Sequence, residues 1–333
     1  MATGETSLTL TYGPLLTTTL MKVLDSNVIH DNVFNNDPML QWMKSGQRIK
    51  VIDGGERIRV NIMWSKNSTA KWYSDYDTLD TTAQIGQTPA FFNWKQGSVS
   101  ISVSGNELRL NKGPSRLVNL QQDKIAQATS SLTDLLAIGA YSDGTGQTST
   151  QMTGLEAMIA TTITSGTYAS INFGTNTAWR NQIEATVGAA ATNLIPKMRT
   201  LYNSCSQGKG GLFQGPDAIF TTQTVYEALE ALIFPMFRYS DTSKVNVGIG
   251  KENSGLMFKG ASVMWDAYCT SGDLYMLNSN NVMMFIHQDA NLSMAEGGFQ
   301  KPINQDALVT QILFQGNMAT NNRRKLGKLQ GIT

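Results

Sequence analysis

The sequence predicts an α+β chain, on three observations. Two segments alternate apolar and polar side chains with a period of two. Ile58, Val60, Ile62 and Trp64 alternate with Arg57, Arg59, Asn61 and Met63, and Val99, Ile101 and Val103 alternate with Ser98, Ser100, Ser102 and Ser104. That pattern is the mark of a half-buried strand. Two further segments repeat apolar residues at three-to-four spacing: Leu117, Leu120, Ile125, Ala128, Leu132, Leu135 and Leu136, then Trp179, Ile183, Val187, Leu194, Met198 and Leu201. These predict amphipathic helices. Finally, strands and helices follow one another irregularly, with no internal repeat of the kind that builds solenoids.

Taken in order, residues 1–50 read as an N-terminal arm, with short helices near Thr17–Asp25 and Pro38–Met43. Gly54–Gly55 opens the first alternating strand, and Ser65–Asn93 separates it from the second. Roughly two to five residues suffice to close a hairpin, so this excursion reads as an arm built to touch something else. Gly113–Pro114 gives a helix start, with proline where its missing N–H costs nothing. The helix expected over about 114–141 would be about 40 Å long. Residues 144–177 read as a loop with short strands and an apolar knot at Leu155–Ile159. A second long helix is expected at Thr177–Asn203, then a loop at Gly208–Gly211, a strand at Ala218–Thr221 and a helix at Thr224–Ile233 ended by Pro235. A polar excursion over 236–260 precedes strands at Ala261–Cys269, Leu274–Leu277, Val282–Ile286 and Leu308–Phe314.

At 333 residues the chain is long enough for two lobes. Only 15% of residues are charged and the formal net charge is +1, which argues against a strongly basic nucleic-acid binder. A near-neutral surface rich in amides and hydroxyls suits packing of like against like. Cys205 and Cys269 read as isolated buried thiols, a disulfide between them being the alternative. No secretory leader is read at the N-terminus and no apolar run reaches the roughly 18 residues of a membrane span. A soluble chain made in a reducing cytoplasm is expected.

No catalytic, cofactor-binding or metal constellation emerges. Gly248-Ile249-Gly250-Lys251 suggests a phosphate loop, but Val245 and Glu252 stand where the pattern needs glycine and a hydroxyl. His30 and His287 are the only histidines, too few for the common zinc sites. Cys205 has no recognisable base. Asp75, Asp77 and Asp80 resemble part of a calcium loop that lacks its glycine and closing glutamate, and read as a solvated acidic turn. The excursion also carries Trp64, Lys66, Lys71, Trp72, Tyr73 and Tyr76, with Phe91, Phe92 and Trp94 on its return. Such rings could stack single-stranded nucleic acid, but the aspartates would repel phosphate. Inter-subunit contact through Trp64, Lys66, Lys71, Trp72, Tyr73, Asp75, Tyr76 and Asp77 is the favoured reading, because Trp and Tyr dominate interface energetics; the bland one is that the rings cover their own domain. Near the C-terminus Arg323, Arg324, Lys325 and Lys328 form a basic group that could approach nucleic acid, pair with a neighbour's carboxylates, or simply be solvated.

The order of these elements resembles that of the major capsid proteins of tailed bacteriophages, the Hong Kong 97-type fold shared with encapsulin shells. The resemblance runs through GERIRVNIMWSKNSTAKWYSDYDTLDT and FFNWKQGSVSISVSGNEL, through PDAIFTTQTVYEALEAL, through LMFKGASVMWDAYCTSGDLYMLNSNNVMMFI, and through DALVTQILFQGNMATNNRRKLGKL. It implies an N-terminal arm over 1–50, an extended hairpin loop over 51–104, and a peripheral domain with its spine helix over 105–189. An apical domain over 190–290 and a return to the peripheral domain over 291–333 would complete it. The role it implies is a coat protein that assembles as hexamers and pentamers into an icosahedral head around double-stranded DNA in the host cytoplasm. Portal and scaffolding proteins, and in some relatives a decoration protein, would be its partners; a processed chain is the alternative to a separate scaffold. An encapsulin-like compartment shell is the second reading, and an enzyme with an unfamiliar site a distant third. Some relatives join subunits through a lysine and an asparagine. Lys66 and Lys71 stand where that lysine would be and Asn317, Asn321 and Asn322 are late asparagines, but no glutamate aligns and no crosslink is expected.

Overall fold

The computed structural model describes residues 37–63, 65–110, 120–206, 215–233, 256–295 and 298–333. The expected helix at Thr17–Asp25, the start at Pro114, Trp64, His30, the loop Gly208–Gly211 and most of the 236–260 excursion lie outside the described residues. The described residues divide into two units, one within Ser98–Leu132 and Met294–Ile312, the other within 37–97, Thr133–Ser293 and Leu313–Thr333.

Strand β4 (Lys95–Ser104), which enters the first unit at Ser98, buries Ile101 and Val103 and exposes Ser100 and Ser102, as the alternation predicts. Helix α2 (Gly105–Leu110) begins with a reciprocal cap: Ser104 Oγ accepts from Glu107 N–H at 3.3 Å, and Glu107 Oε2 accepts from Ser104 N–H at 3.1 Å. Two of the helix's orphan donors are thereby satisfied. The same Glu107 oxygen receives Lys124 Nζ at 2.9 Å, from helix α3 (Leu120–Tyr141). That pair is largely buried, whereas the Arg109–Asp306 and Lys301–Asp306 pairs are exposed and contribute little.

In the second unit, helix α1 (Pro38–Ser45) starts at Asp37, whose Oδ1 accepts from Met39 N–H at 3.0 Å, and buries Met39 and Met43. Strand β1 (Ile49–Ile52) lies parallel to the first part of β12 (Val282–Met294). A ribbon of β2 (Ile58–Met63) and β3 (Gln87–Phe92) stands as its own two-stranded sheet. A one-turn helix α4 (Leu155–Met158) fills the expected apolar knot, and β5 (Thr167–Tyr168) and β6 (Ile171–Asn172) form a short hairpin. Beyond them come β7 (Gln182–Glu184), α5 (Ala190–Cys205), β8 (Ala218–Thr221), α6 (Gln223–Ile233), β9 (Met257–Phe258), β10 (Ala261–Trp265) and β11 (Leu274–Leu277). Strand β13 (Ala307–Thr320) joins the sheet of order β1-β12-β13-β4. Strand β14 (Gly327–Leu329) completes the sheet of order β7-β14-β11-β8-β10-β9. Strands β8 and β11 are buried along their whole length, which is why AIFT and LYML read as runs rather than alternations. Leu194, Met198 and Leu201 of α5 and Leu229 of α6 pack with Ile219, Val263 and Met276 of that sheet into one core.

Three expectations are corrected. The helix expected at Thr177–Asn203 exists only from Ala190 on; before it stand a 3-10 turn at Thr177–Trp179 and strand β7. Tertiary pairing overrides the helical spacing there. Gln182 N–H bonds Leu326 O at 3.0 Å and Val187 N–H bonds Gln330 O at 3.0 Å, while Thr186 (φ 61°) and Gly188 (φ 69°) turn the chain left-handed before the helix. The partner of β2 is β3, inside the segment read as tip, and not β4, which belongs to the four-stranded sheet. Pro89 hides β3 in the sequence, yet both strands of a two-stranded ribbon are edges and tolerate a missing donor. Strands β12 and β13 are also much longer than Val282–Ile286 and Leu308–Phe314.

Candidate interaction surface

The ribbon sets the register Ile58↔Phe92, Asn61↔Pro89 and Met63↔Gln87. Ile58, Ile62, Ala90 and Phe92 bury its inner face, and Phe92 meets Tyr168 edge-on at 5.7 Å. The loop 65–86 leaves this rooted base, and every residue from Ala70 to Ile85 is exposed. Short local turns order it. Asn67 Oδ1 accepts from Thr69 N–H at 2.9 Å, and Ser68 Oγ reaches Gln84 Oε1 across the loop at 3.1 Å. Lys71 Nζ donates to Thr78 O at 2.6 Å, and Asp77 Oδ2 accepts from Ser74 N–H at 3.2 Å. Asp80 accepts from Thr82 N–H and Oγ1, which holds its carboxyl below the usual range.

The aromatic residues separate into two groups. Trp94 donates its indole N–H to Gly55 O at 2.8 Å and stands edge-on to His287 at 5.7 Å; Phe91 is half-buried and Phe92 buried. These rings serve their own chain. Trp72 and Tyr76 are fully exposed, Tyr73 is 67% exposed, and Met63 and Ile85 at the root are 75% and 84% exposed. Burying each large apolar side chain is worth about 1.5–3 kcal/mol, and their concentration on one loop makes an exposed apolar patch of the kind that marks candidate interaction surfaces. Lys66, Lys71, Asp75 and Asp77 are exposed around them.

The basic group near the C-terminus is placed otherwise than expected. Arg323 and Lys328 are not a solvated tail: both are fully buried. Lys328 Nζ sits 2.7 Å from Glu156 Oε2 and 2.8 Å from Asp273 Oδ2, and Tyr275 donates its hydroxyl to the same Glu156 oxygen at 2.7 Å. Burial raises the Asp273 carboxyl, and Lys328 opposes that rise. Arg323 donates Nε to Met158 O at 2.7 Å and Nη2 to Asn181 Oδ1 at 3.0 Å, with its guanidinium 4.8 Å from the Tyr168 ring centre and 4.5 Å from that of Phe173. Burial lowers its pKa to about 10, which leaves it charged at neutral pH. Neither residue is available to nucleic acid or a neighbour; Arg324 and Lys325 are half-buried. Asn317 is committed too: its Oδ1 accepts from Thr153 and Met318 N–H at 2.9 Å each, and its Nδ2 donates to Asn93 O at 2.8 Å.

Sequence reasoning missed one acidic pair. Asp266 accepts from Tyr141 Oη and Tyr268 N–H at 3.0 Å each, and Asp37 shares its surroundings. Burial and the hydrogen bond with Asp266 push the Asp37 carboxyl up to about 8. Cys205 and Cys269 are free and buried, in line with isolated thiols. Among the described residues no group of three or more His, Cys, Asp or Glu could hold a metal ion, and no helix is long and apolar enough to cross a membrane.

No protein-family model matches the chain, and no curated protein matches it. Solved structures do. A chain of the cyanophage A-1(L) capsid asymmetric unit superposes with a TM-score of 0.66 at 16% identity, over 95% of this chain and 99% of that one. The capsid structure of cyanophage P-SCSP1u gives a TM-score of 0.61 at 11% identity, over 93% and 92%. The holo-SrpI encapsulin complex from Synechococcus elongatus PCC 7942 gives 0.55 at 10% identity, over 92% and 96%. The chain therefore has the fold of phage capsid chains and of an encapsulin, the Hong Kong 97-type α+β fold that the element order led us to expect.

Proposed function

We propose that this chain is the major capsid protein of a tailed bacteriophage, a non-enzymatic subunit that assembles into the icosahedral head enclosing double-stranded DNA. The observation that carries the reading is end-to-end likeness: the superposition covers 95% of this chain and 99% of a cyanophage capsid chain. The exposed aromatic loop supports it, because a monomer gains nothing by holding Trp72 and Tyr76 in water. In this reading residues 1–50 form the arm, the β2–β3 ribbon carries the extended loop, α3 is the spine, and residues 190–290 contribute the apical domain. Hexamers and pentamers would be the units of assembly, with portal and scaffolding proteins and non-specific contact with DNA completing the head. Many weak loop contacts add through multivalency.

The encapsulin likeness favours a second reading, a compartment shell with protein cargo. Both predict closed particles and differ in content. The test is to express the chain with and without a candidate scaffold and to examine it by sedimentation and negative-stain microscopy. Closed shells or capsomer rings are expected. A monomer under every condition would overturn the proposal.

A further inference from the structure

Lys328 lies in the middle of β14 and, in the register of the six-stranded sheet, directly opposite Tyr275 of β11. Asp273 precedes Tyr275 by two positions, so it falls on the same face of the sheet as a diagonal neighbour of Lys328. Glu156 reaches both from α4. Lys328, Asp273 and Tyr275 are all buried, whereas the Glu156 side chain keeps 28% of its surface exposed.

As an ion pair this arrangement is unbalanced. One ammonium meets two carboxylates, Glu156 Oε2 at 2.7 Å and Asp273 Oδ2 at 2.8 Å. Asp273 Oδ2 is nevertheless a buried atom that accepts no hydrogen bond, so Nζ stands against that carboxyl without the alignment of one. Buried charges and unmade acceptors are both costly. Burial favours the neutral acid at Asp273. A proton passed from the ammonium to Asp273 leaves an amine beside a carboxylic acid, with a carboxylate at Glu156 to accept the next proton. Reaction between held groups needs the reacting atoms about 3–3.5 Å apart, and Nζ lies 2.8 Å from an oxygen bonded to the carbon it would attack.

We propose that Lys328 and Asp273 become joined by an intramolecular amide bond, formed by the folded chain itself with Glu156 as the proton relay. Nζ attacks Asp273 Cγ, and the new C–N bond forms as the carbonyl electron pair moves onto oxygen. Glu156 takes the proton from nitrogen and returns it to the hydroxyl on Cγ; the carbonyl reforms, the C–OH bond breaks and one water leaves. Nothing is oxidised or reduced. Tyr275, whose hydroxyl donates to Glu156 Oε2 at 2.7 Å, is the positioning residue for that carboxylate. The bond removes a buried ammonium and a buried carboxylate together. It also ties β14 to β11 and closes a loop of chain that contains β12 and β13. It lies within one subunit, uses none of the loop lysines or late asparagines considered for a join between subunits, and does not depend on the assembly proposed above.

Mass spectrometry of the intact, folded, full-length chain tests this without any variant. A mass lower by one water is expected, and after trypsin the fragment that carries Asp273 should run joined to the one that carries Lys328. Lys328→Arg keeps a cation that cannot form the amide and should show the full mass of its sequence. Asp273→Asn should lose one ammonia in place of one water, which separates this bond from dehydration elsewhere. Glu156→Gln should slow the reaction about a hundredfold or more, the usual scale of general acid–base help. Full mass in the folded wild-type chain would overturn the proposal, as would a water loss that persists in Lys328→Arg. A bond that forms at the wild-type rate in Glu156→Gln would overturn the relay.

Discussion

The buried charges set what single substitutions do. Asp37 releases its proton near 3.8 in the unfolded chain but only near 8 in the folded one, because burial and Asp266 both disfavour a second carboxylate. Between those values the folded chain binds more protons, so this group's contribution to stability falls as pH rises. Asp37→Asn keeps an acceptor for Met39 N–H, and asparagine caps helices as well as aspartate. The thermal midpoint of that variant should vary less between pH 4 and 8 than the parent's and exceed it at the upper end; parallel curves would show that Asp37 does not titrate in the window. Lys328→Met leaves Glu156 and Asp273 facing each other inside the protein. A loss of about 3–5 kcal/mol in urea unfolding is expected, and a loss under about 1 kcal/mol would mean that the pair is solvated. None of this is legible in sequence. A run such as Arg323–Lys328 reads as solvated, and of the two carboxylates that pair with Lys328, Glu156 lies 172 positions away.

At the scale of elements, substitutions in the loop would separate stability from the proposed assembly. Trp72→Ala and Tyr76→Ala remove side chains that are fully exposed among the described residues, so the thermal midpoint should hold within the roughly 0.5 kcal/mol of ordinary surface changes. Particle yield in sedimentation should nevertheless fall steeply; unaltered yield would remove these rings from the interface. Replacing residues 67–84 by a short Gly-Ser turn should likewise leave a folded chain that closes no shells, and normal particles under the microscope would refute the role of the loop. That the loop projects was legible, because alternation in Ile58–Met63 and Val99–Val103 bounds a polar stretch too long for a turn. Its return was not, since Gln87–Phe92 contains Pro89 and a run of apolar residues that spoils the period. The helix at Ala190–Cys205 was half legible. Its apolar spacing extends backwards through Ile183 and Val187, and only pairing with residues that come much later converts that stretch to strand.

For the whole molecule, fold class and element order were readable because each rests on local periodicity, and the likeness to capsid and encapsulin chains at 10–16% identity shows how little sequence that order demands. What stayed hidden is what depends on distant partners: the sheet orders and the buried cations. Expression of the full chain with a scaffold is expected to yield closed particles of one diameter, and their contents distinguish a head that holds DNA from a compartment that holds protein.

Strand β14 lies between β7 and β11 in the six-stranded sheet. A ribosome delivers the loop at 65–86 and every other strand of that sheet before it delivers Gly327–Leu329. Until then β7 has no neighbour to hold it, and the carboxylates of Glu156 and Asp273 await their lysine. The exposed aromatic tip is thus presented to the cell while the six-stranded sheet still lacks the strand that joins β7 to β11. Nascent chains meeting on one messenger would be able to touch before they are able to fold, a hazard that favours a chaperone acting during translation over one acting after it.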